Sequence, residues 1–148
     1  MIKESTKMIK VIKNSIETEY PIFIRTEDTD KRFSTTASLK FDGEEYVGMG
    51  MSLDADEAFA DLQKKLPEGV VIKCCVSCQY GNFCPYGSIP EEIYCIFPQR
   101  IGDKLDLVDL LAEDKYTPRD IVHSCDNFLY SNEENYSYNS FDHYLKKQ

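Results

Sequence analysis

Twenty-six Asp and Glu against seventeen Lys and Arg give this 148-residue chain a formal net charge of −9. Such a surface excludes a duplex nucleic-acid binder, which needs basic residues to neutralise phosphate, and favours a basic partner instead. With 42% hydrophobic and 29% charged residues, the length suits one globular domain over residues 1–148 that buries a core without disulfide staples.

Residues 1–13 set Lys3, Lys7, Lys10 and Lys13 against Glu4, with Met8, Ile9, Val11 and Ile12 as their apolar part. A short strand and a frayed helix fit equally well. Charges recur every few positions over the first twenty residues, so no signal-peptide apolar region is present. No run reaches the ~18 apolar residues that span a bilayer. A cytoplasmic protein with no membrane partner is expected. The β-branched and aromatic run Tyr20-Pro21-Ile22-Phe23-Ile24 predicts a strand, with Pro21 at an edge or a strand start. Residues 26–31 read as a polar turn.

Phe33, Thr35, Ala37, Leu39 and Phe41 alternate with polar residues, the period of a half-buried strand. Asp42-Gly43 is a turn dipeptide, and 45–51 alternates again, so a β-hairpin is predicted. Asp54 is placed to cap a helix over 54–66, with Glu57 as its reciprocal partner. Ala55, Ala58, Phe59, Leu62 and Leu66 share one face of that helix, and Pro67 ends it. Residues 70–76 and 92–97 read as two further strands that pair with each other across the loop 79–90. From 101 the chain turns more acidic, with ten Asp and Glu against five Lys and Arg, a net of −5. A helix is expected from about 103, another at Thr117-Pro118, and a helical C-terminal segment throughout. The fold class is α+β: an antiparallel sheet of four to six strands with a packed helix, residues 1–100 forming the core and 101–148 the acidic segment.

Three groups of residues carry candidate chemistry. The first is the cysteine cluster. In a cytoplasmic protein, six cysteines are reduced thiols or metal ligands rather than disulfides. Cys75 and Cys78 form a CxxC knuckle, and Cys84 and Cys95 are the nearest further ligands for a structural zinc ion, with His123 and Cys125 as alternatives if the tail folds back. The competing reading makes Cys74 or Cys75, and Cys95, small buried hydrophobes on strands. A cysteine-dependent enzyme using Cys78 or Cys125 is a further alternative. His123 and Cys125 would diverge on a helix, however, and no catalytic residue is assigned. The second group, Asp103, Asp106 and Asp109, falls along one side of a helix, as a solvated face or a hard-cation row. The third is the tyrosine-rich acidic tail. Asp126, Tyr130, Glu133, Glu134, Tyr136 and Tyr138 combine rigid aromatic contact area with carboxylates that steer a basic partner. Gly48 and Gly50 before a helix lack the lysine of a phosphate loop and read as positions for a bulge or for a neighbouring side chain to approach the strand.

Two resemblances follow. Ala37 to Ser52 with Ala55, Ala58, Phe59 and Leu62 resembles the second half of a double-stranded-RNA-binding domain. Leu53 and Asp54 stand where that family places lysines, so only its local β-β-α geometry is implied. The whole profile, small, acidic and without a catalytic constellation, looks like bacterial immunity proteins. That likeness implies a tight, stoichiometric complex with a basic partner such as a toxin domain, and no turnover. A small zinc-binding adaptor is the alternative.

Overall fold

The computed structural model describes residues 1–87, 89–132 and 134–147. Its elements run β1 (Ile2–Lys13), β2 (Ile16–Thr29), β3 (Arg32–Phe41), β4 (Glu44–Gly50), α1 (Asp56–Lys65), β5 (Val70–Lys73), a 3-10 turn (Cys75–Ser77), β6 (Gly81–Asn82), β7 (Glu92–Cys95), α2 (Lys104–Ala112), β8 (Thr117–Asp120) and α3 (Phe141–Lys146). The architecture is α+β, as expected. One antiparallel sheet has the order β4-β3-β2-β1-β5, and a smaller one the order β6-β7-β8.

The first four strands form a meander. Ile2–Lys13 is one long strand, and the expected turn at 26–31 shrinks to Asp30-Lys31 because β2 continues to Thr29. Pro21 stands one residue beyond Ile22, where the β2–β3 pairing ends at Leu39. Its missing N–H suits a position where β2 has lost that neighbour. Ile9, Val11, Ile22, Ile24, Ala37, Leu39 and Ile72 line the inner face and are fully or almost fully buried. Alternate residues, among them Met8, Phe23 and Met49, remain solvent-exposed on the outer face.

Helix α1 lies over the inner face, packed on β4. A Cβ on Gly48 would stand 2.2 Å from the Ala58 carbonyl oxygen, and one on Gly50 would stand 2.7 Å from Glu57 Cβ. The glycines therefore admit a helix backbone against a strand, rather than the bulge or neighbouring side chain expected of them. Asp54 does not cap α1. The helix starts at Asp56 after Ala55, and no side chain caps it at Ala55. The Asp56 carboxylate instead accepts the Glu57 N–H at 3.0 Å and the Ser140 N–H at 2.8 Å.

Other expectations need correction. Strand β5 ends at Lys73 and pairs with β1, not with β7. The cysteine knuckle occupies a 3-10 turn, where Ser77 Oγ donates to the Ile72 carbonyl and accepts the Cys74 N–H. Strand β7 pairs with β6 and with β8. Thr117-Pro118 opens β8 rather than a helix, with Pro118 opposite Tyr94 on an edge strand. The C-terminal part is helical only in α2 and α3, joined by β8 and irregular chain.

The two sheets are clamped by charge. Glu91 meets Lys3 at 2.9 Å and Lys7 at 3.3 Å and accepts from Ser5, while Lys7 also bonds Asp120. Burial alone would raise the Glu91 carboxyl, but the Ser5 hydroxyl and the two ammonium groups hold it below its ordinary range. The main core runs continuously from Ile9 through Phe59 and Ile93 to Ile121 and Phe141. A satellite core gathers Ile96, Ile101 and Leu107 under α2. No helix among the described residues is long and apolar enough to cross a membrane.

Candidate functional site

Two concavities concentrate chemistry, and the C-terminal segment builds both. The segment is stitched to residues 74–83 by its backbone. His123 O accepts the Cys75 N–H, Leu129 O that of Gln79, Ser77 O that of Ser131, and Tyr138 O that of Phe83. Cys78 and Tyr130 add an isolated β-bridge. Asn82 Oδ1 accepts the Tyr138 N–H, and Asn139 Nδ2 donates to the Val76 carbonyl at 2.7 Å.

The first concavity is a groove of about 400 Å³ between the start of α1 and residues 136–144. Asp54, Asp56, Tyr136, Tyr138 and Tyr144 line it, with Ser52 and Asn139 among the polar groups between them. Burial raises the Tyr144 phenol, helped by the Glu57 and Asp56 carboxylates, and Glu57 shares a hydrogen bond with it. Burial also raises Tyr136, and the nearby Tyr138 phenol and Asp103 carboxylate add to it. Asp54 and Asp56 thus line the groove beside three tyrosines, while Glu57 acts on Tyr144 and Asp103 on Tyr136.

Burial pushes the Asp56 carboxyl above its ordinary range, outweighing the backbone N–H groups that favour the anion. The folded state therefore holds this proton more tightly than the unfolded chain does. The contribution of Asp56 to stability falls as pH rises through its raised pKa and grows on acidification. Replacing Asp56 with Asn places an amide nitrogen against one of its two N–H donors. A loss of about 1–3 kcal/mol is expected at neutral pH. The gap to wild type should widen through the acid range, because only the wild type has a titrating group at position 56. Urea denaturation of both proteins across that range checks it, and a gap that narrows on acidification contradicts the assignment.

The second concavity, of about 130 Å³, is lined by Cys74, Cys75, Cys78, Cys95 and Cys125 together with Arg119, His123, Phe97 and Phe128. Burial raises the Cys74 thiol to about 11 and also raises Cys75 and Cys78. That direction is opposite to the one a nucleophilic thiol needs. Burial, seconded by the Arg119 charge, lowers His123. Cys84 does not line this cavity. It hydrogen-bonds Tyr94, whose phenol is raised first by burial and then by that thiol. No group of three or more His, Cys, Asp or Glu among the described residues stands ready to hold a metal ion.

The sequence-derived residues are thus redistributed. Of the zinc candidates, Cys75, Cys78 and Cys95 line the cavity together with Cys125, and Cys84 does not. His123 and Cys125 lie in turns rather than on a helix, and both face the same cavity. Of the tail residues, Tyr136 is 40% exposed on the groove, and Tyr138 lines it while packing against both cores and beneath Lys104. Tyr130 packs edge-on against Phe141 at 5.9 Å. Asp126 and Glu134 are exposed but are not among the groove residues. Glu133 lies outside the described residues. Asp103 caps α2 by accepting the Asp106 N–H, and Asp106 accepts from Gly102. These carboxylates serve the helix start rather than a cation row. Sequence reading missed Asp56, Tyr144 and the second role of Asp103. The two aspartates signal only as acidity at a helix start, which helix dipoles favour everywhere, and Tyr144 only as one more tyrosine of the tail.

Comparison with protein families, curated proteins and solved structures finds no match to this chain.

Proposed function

We propose that this is a non-enzymatic, immunity-type binding protein that neutralises a basic partner, such as a toxin domain, over the acidic tyrosine groove. The observation that carries the reading is Asp54 in the groove with Tyr136 and Tyr144, seconded by Glu57 beside Tyr144 and Asp103 near Tyr136. A lysine or arginine side chain entering there meets carboxylates for its head and aromatic faces for its stem, the two attractions such a cation seeks. The net charge of −9 adds long-range steering toward a basic surface. The reading moves the contact from the tail alone to the seam between the tail and two helix starts. Tyr136 and Tyr138 remain in it, and Asp126 and Glu134 serve as outlying charge.

The test is co-expression with the product of the adjacent gene. A stoichiometric complex is expected, weakening as salt is raised. The combined variant Asp54→Asn, Asp103→Asn, Tyr136→Ala should raise Kd by about 30-fold or more, the scale of a roughly 2 kcal/mol hot spot. Asn caps a helix about as well as Asp, so α2 should be preserved. Absence of a complex, or a complex indifferent to both salt and the variant, rejects the reading.

A further inference from the structure

We propose that the second concavity is a soft-metal site, in which Cys75, Cys78, Cys95 and Cys125 hold one zinc ion.

Five thiols from three separated stretches of chain converge on this one small cavity: the 3-10 turn with its flanking residues, the end of β7 and the turn at 125–128; of these Cys74 already faces the Ser77 hydroxyl at 3.7 Å, which leaves four. Asp and Glu are absent from the cavity wall, so the sulfurs and one imidazole stand beside only the neutral oxygens of Tyr80, Thr117, Ser124 and Asn127. That set selects zinc or another thiophilic ion over calcium or magnesium, which take oxygen ligands. Cys75 and Cys78 have the two-residue spacing with which structural zinc sites commonly begin. Their turn is already fixed by Ser77 on one side and by the Cys75 N–H to His123 O bond at 2.8 Å on the other.

Loading requires the sulfurs to close on the ion. Exchanging one staggered χ1 well for another carries a cysteine sulfur by roughly 3 Å without moving the backbone. Coordination replaces four S–H bonds by four metal–sulfur bonds and releases four protons to solvent, with no change of oxidation state. The product, one dication with four thiolates, carries two negative charges. Arg119 lines the cavity and stands near the charge that binding creates, whereas the Lys73 ammonium, 5.9 Å from the ring of Phe128, is already paired with Glu17. Cys84, hydrogen-bonded to Tyr94 instead, is the internal control.

The experiment uses the full chain, reduced and stripped of metal, titrated with cadmium as a spectroscopic stand-in for zinc. Thiolate-to-metal charge-transfer absorbance is expected to saturate at one ion per chain, with a rise in Tm. Cys84→Ser should match wild type. Cys95→Ser and Cys125→Ser should each lose at least about tenfold in affinity, given that even outer-shell partners of a metal site carry 10–100-fold. Far-UV circular dichroism tells a lost ligand from a lost fold. Should either serine variant fail to fold, the wild type and Cys84→Ser decide alone. No charge-transfer band in the wild type, another stoichiometry, or loss of binding in Cys84→Ser overturns the assignment.

Discussion

Gly48→Ala is expected to cost about 3 kcal/mol or more, the upper end of what overpacking does, although only one methyl group is added. Its Cβ would stand 2.2 Å from the Ala58 carbonyl oxygen and 2.4 Å from the Leu62 amide nitrogen. Both are backbone atoms of a helix, so no side chain swings aside. Either α1 lifts from β4 or the strand buckles. Lifting α1 would uncover Ala58, Phe59 and Leu62, all fully buried. Gly43, in the turn of the same hairpin, provides the contrast. It has φ +82, and a methyl group there would meet nothing within 4 Å, so Gly43→Ala meets only the left-handed backbone penalty of about 1–2 kcal/mol. Urea denaturation of the two variants measures the difference. Equal losses would mean that α1 rides more loosely on β4 than these distances state.

The second large effect is Phe141→Ala, with an expected loss of about 3–5 kcal/mol. Phe141 opens α3, is fully buried and meets Tyr130 edge-on. Its N–H donates to Asn139 Oδ1, whose amide in turn donates to the Val76 and Gly81 carbonyls. Removing the ring leaves a void where α1, α3 and the 3-10 turn meet. Tyr144 stands one turn along α3 and lines the groove. Partner affinity should therefore fall together with stability. Phe141→Leu, which refills much of the void, should restore most of both. A variant with full stability and weakened binding would instead place Phe141 in the contact itself.

How much of this can be read from residues alone depends on how local the reason for each element is. The β3–β4 hairpin announces itself through period-two alternation and Asp42-Gly43. Helix α1 does so through five apolar residues on one face. Both signals are complete within their own segments. Strand β1 is ambiguous in sequence because Lys7 interrupts the inward row of Ser5, Ile9 and Val11. The lysine belongs there because Glu91 and Asp120 face it from the smaller sheet, partners far away along the chain. Strand β8 is exposed along its length and begins Thr-Pro, so nothing local separates it from a helix start. Its identity lies in pairing with β7. The same holds at the sites. An acidic, tyrosine-rich tail is visible as composition, but which tyrosines face solvent depends on packing against Phe141 and Lys104. Sequence distance favours Cys84 over Cys125, whereas the hydrogen bonds from 75 to 123 and from 79 to 129 reverse that order in space.

Those same bonds set a timetable for the chain during synthesis. Strands β1 to β4 pair with neighbours in sequence, and such low-separation contacts form early. Residues 74–83 must wait for partners at 123–139 before their backbone is satisfied. Throughout that interval Cys74, Cys75 and Cys78 emerge from the ribosome with no tail to shelter them. A reducing surrounding, or an ion that claims the thiols early, then matters most for the half-made protein.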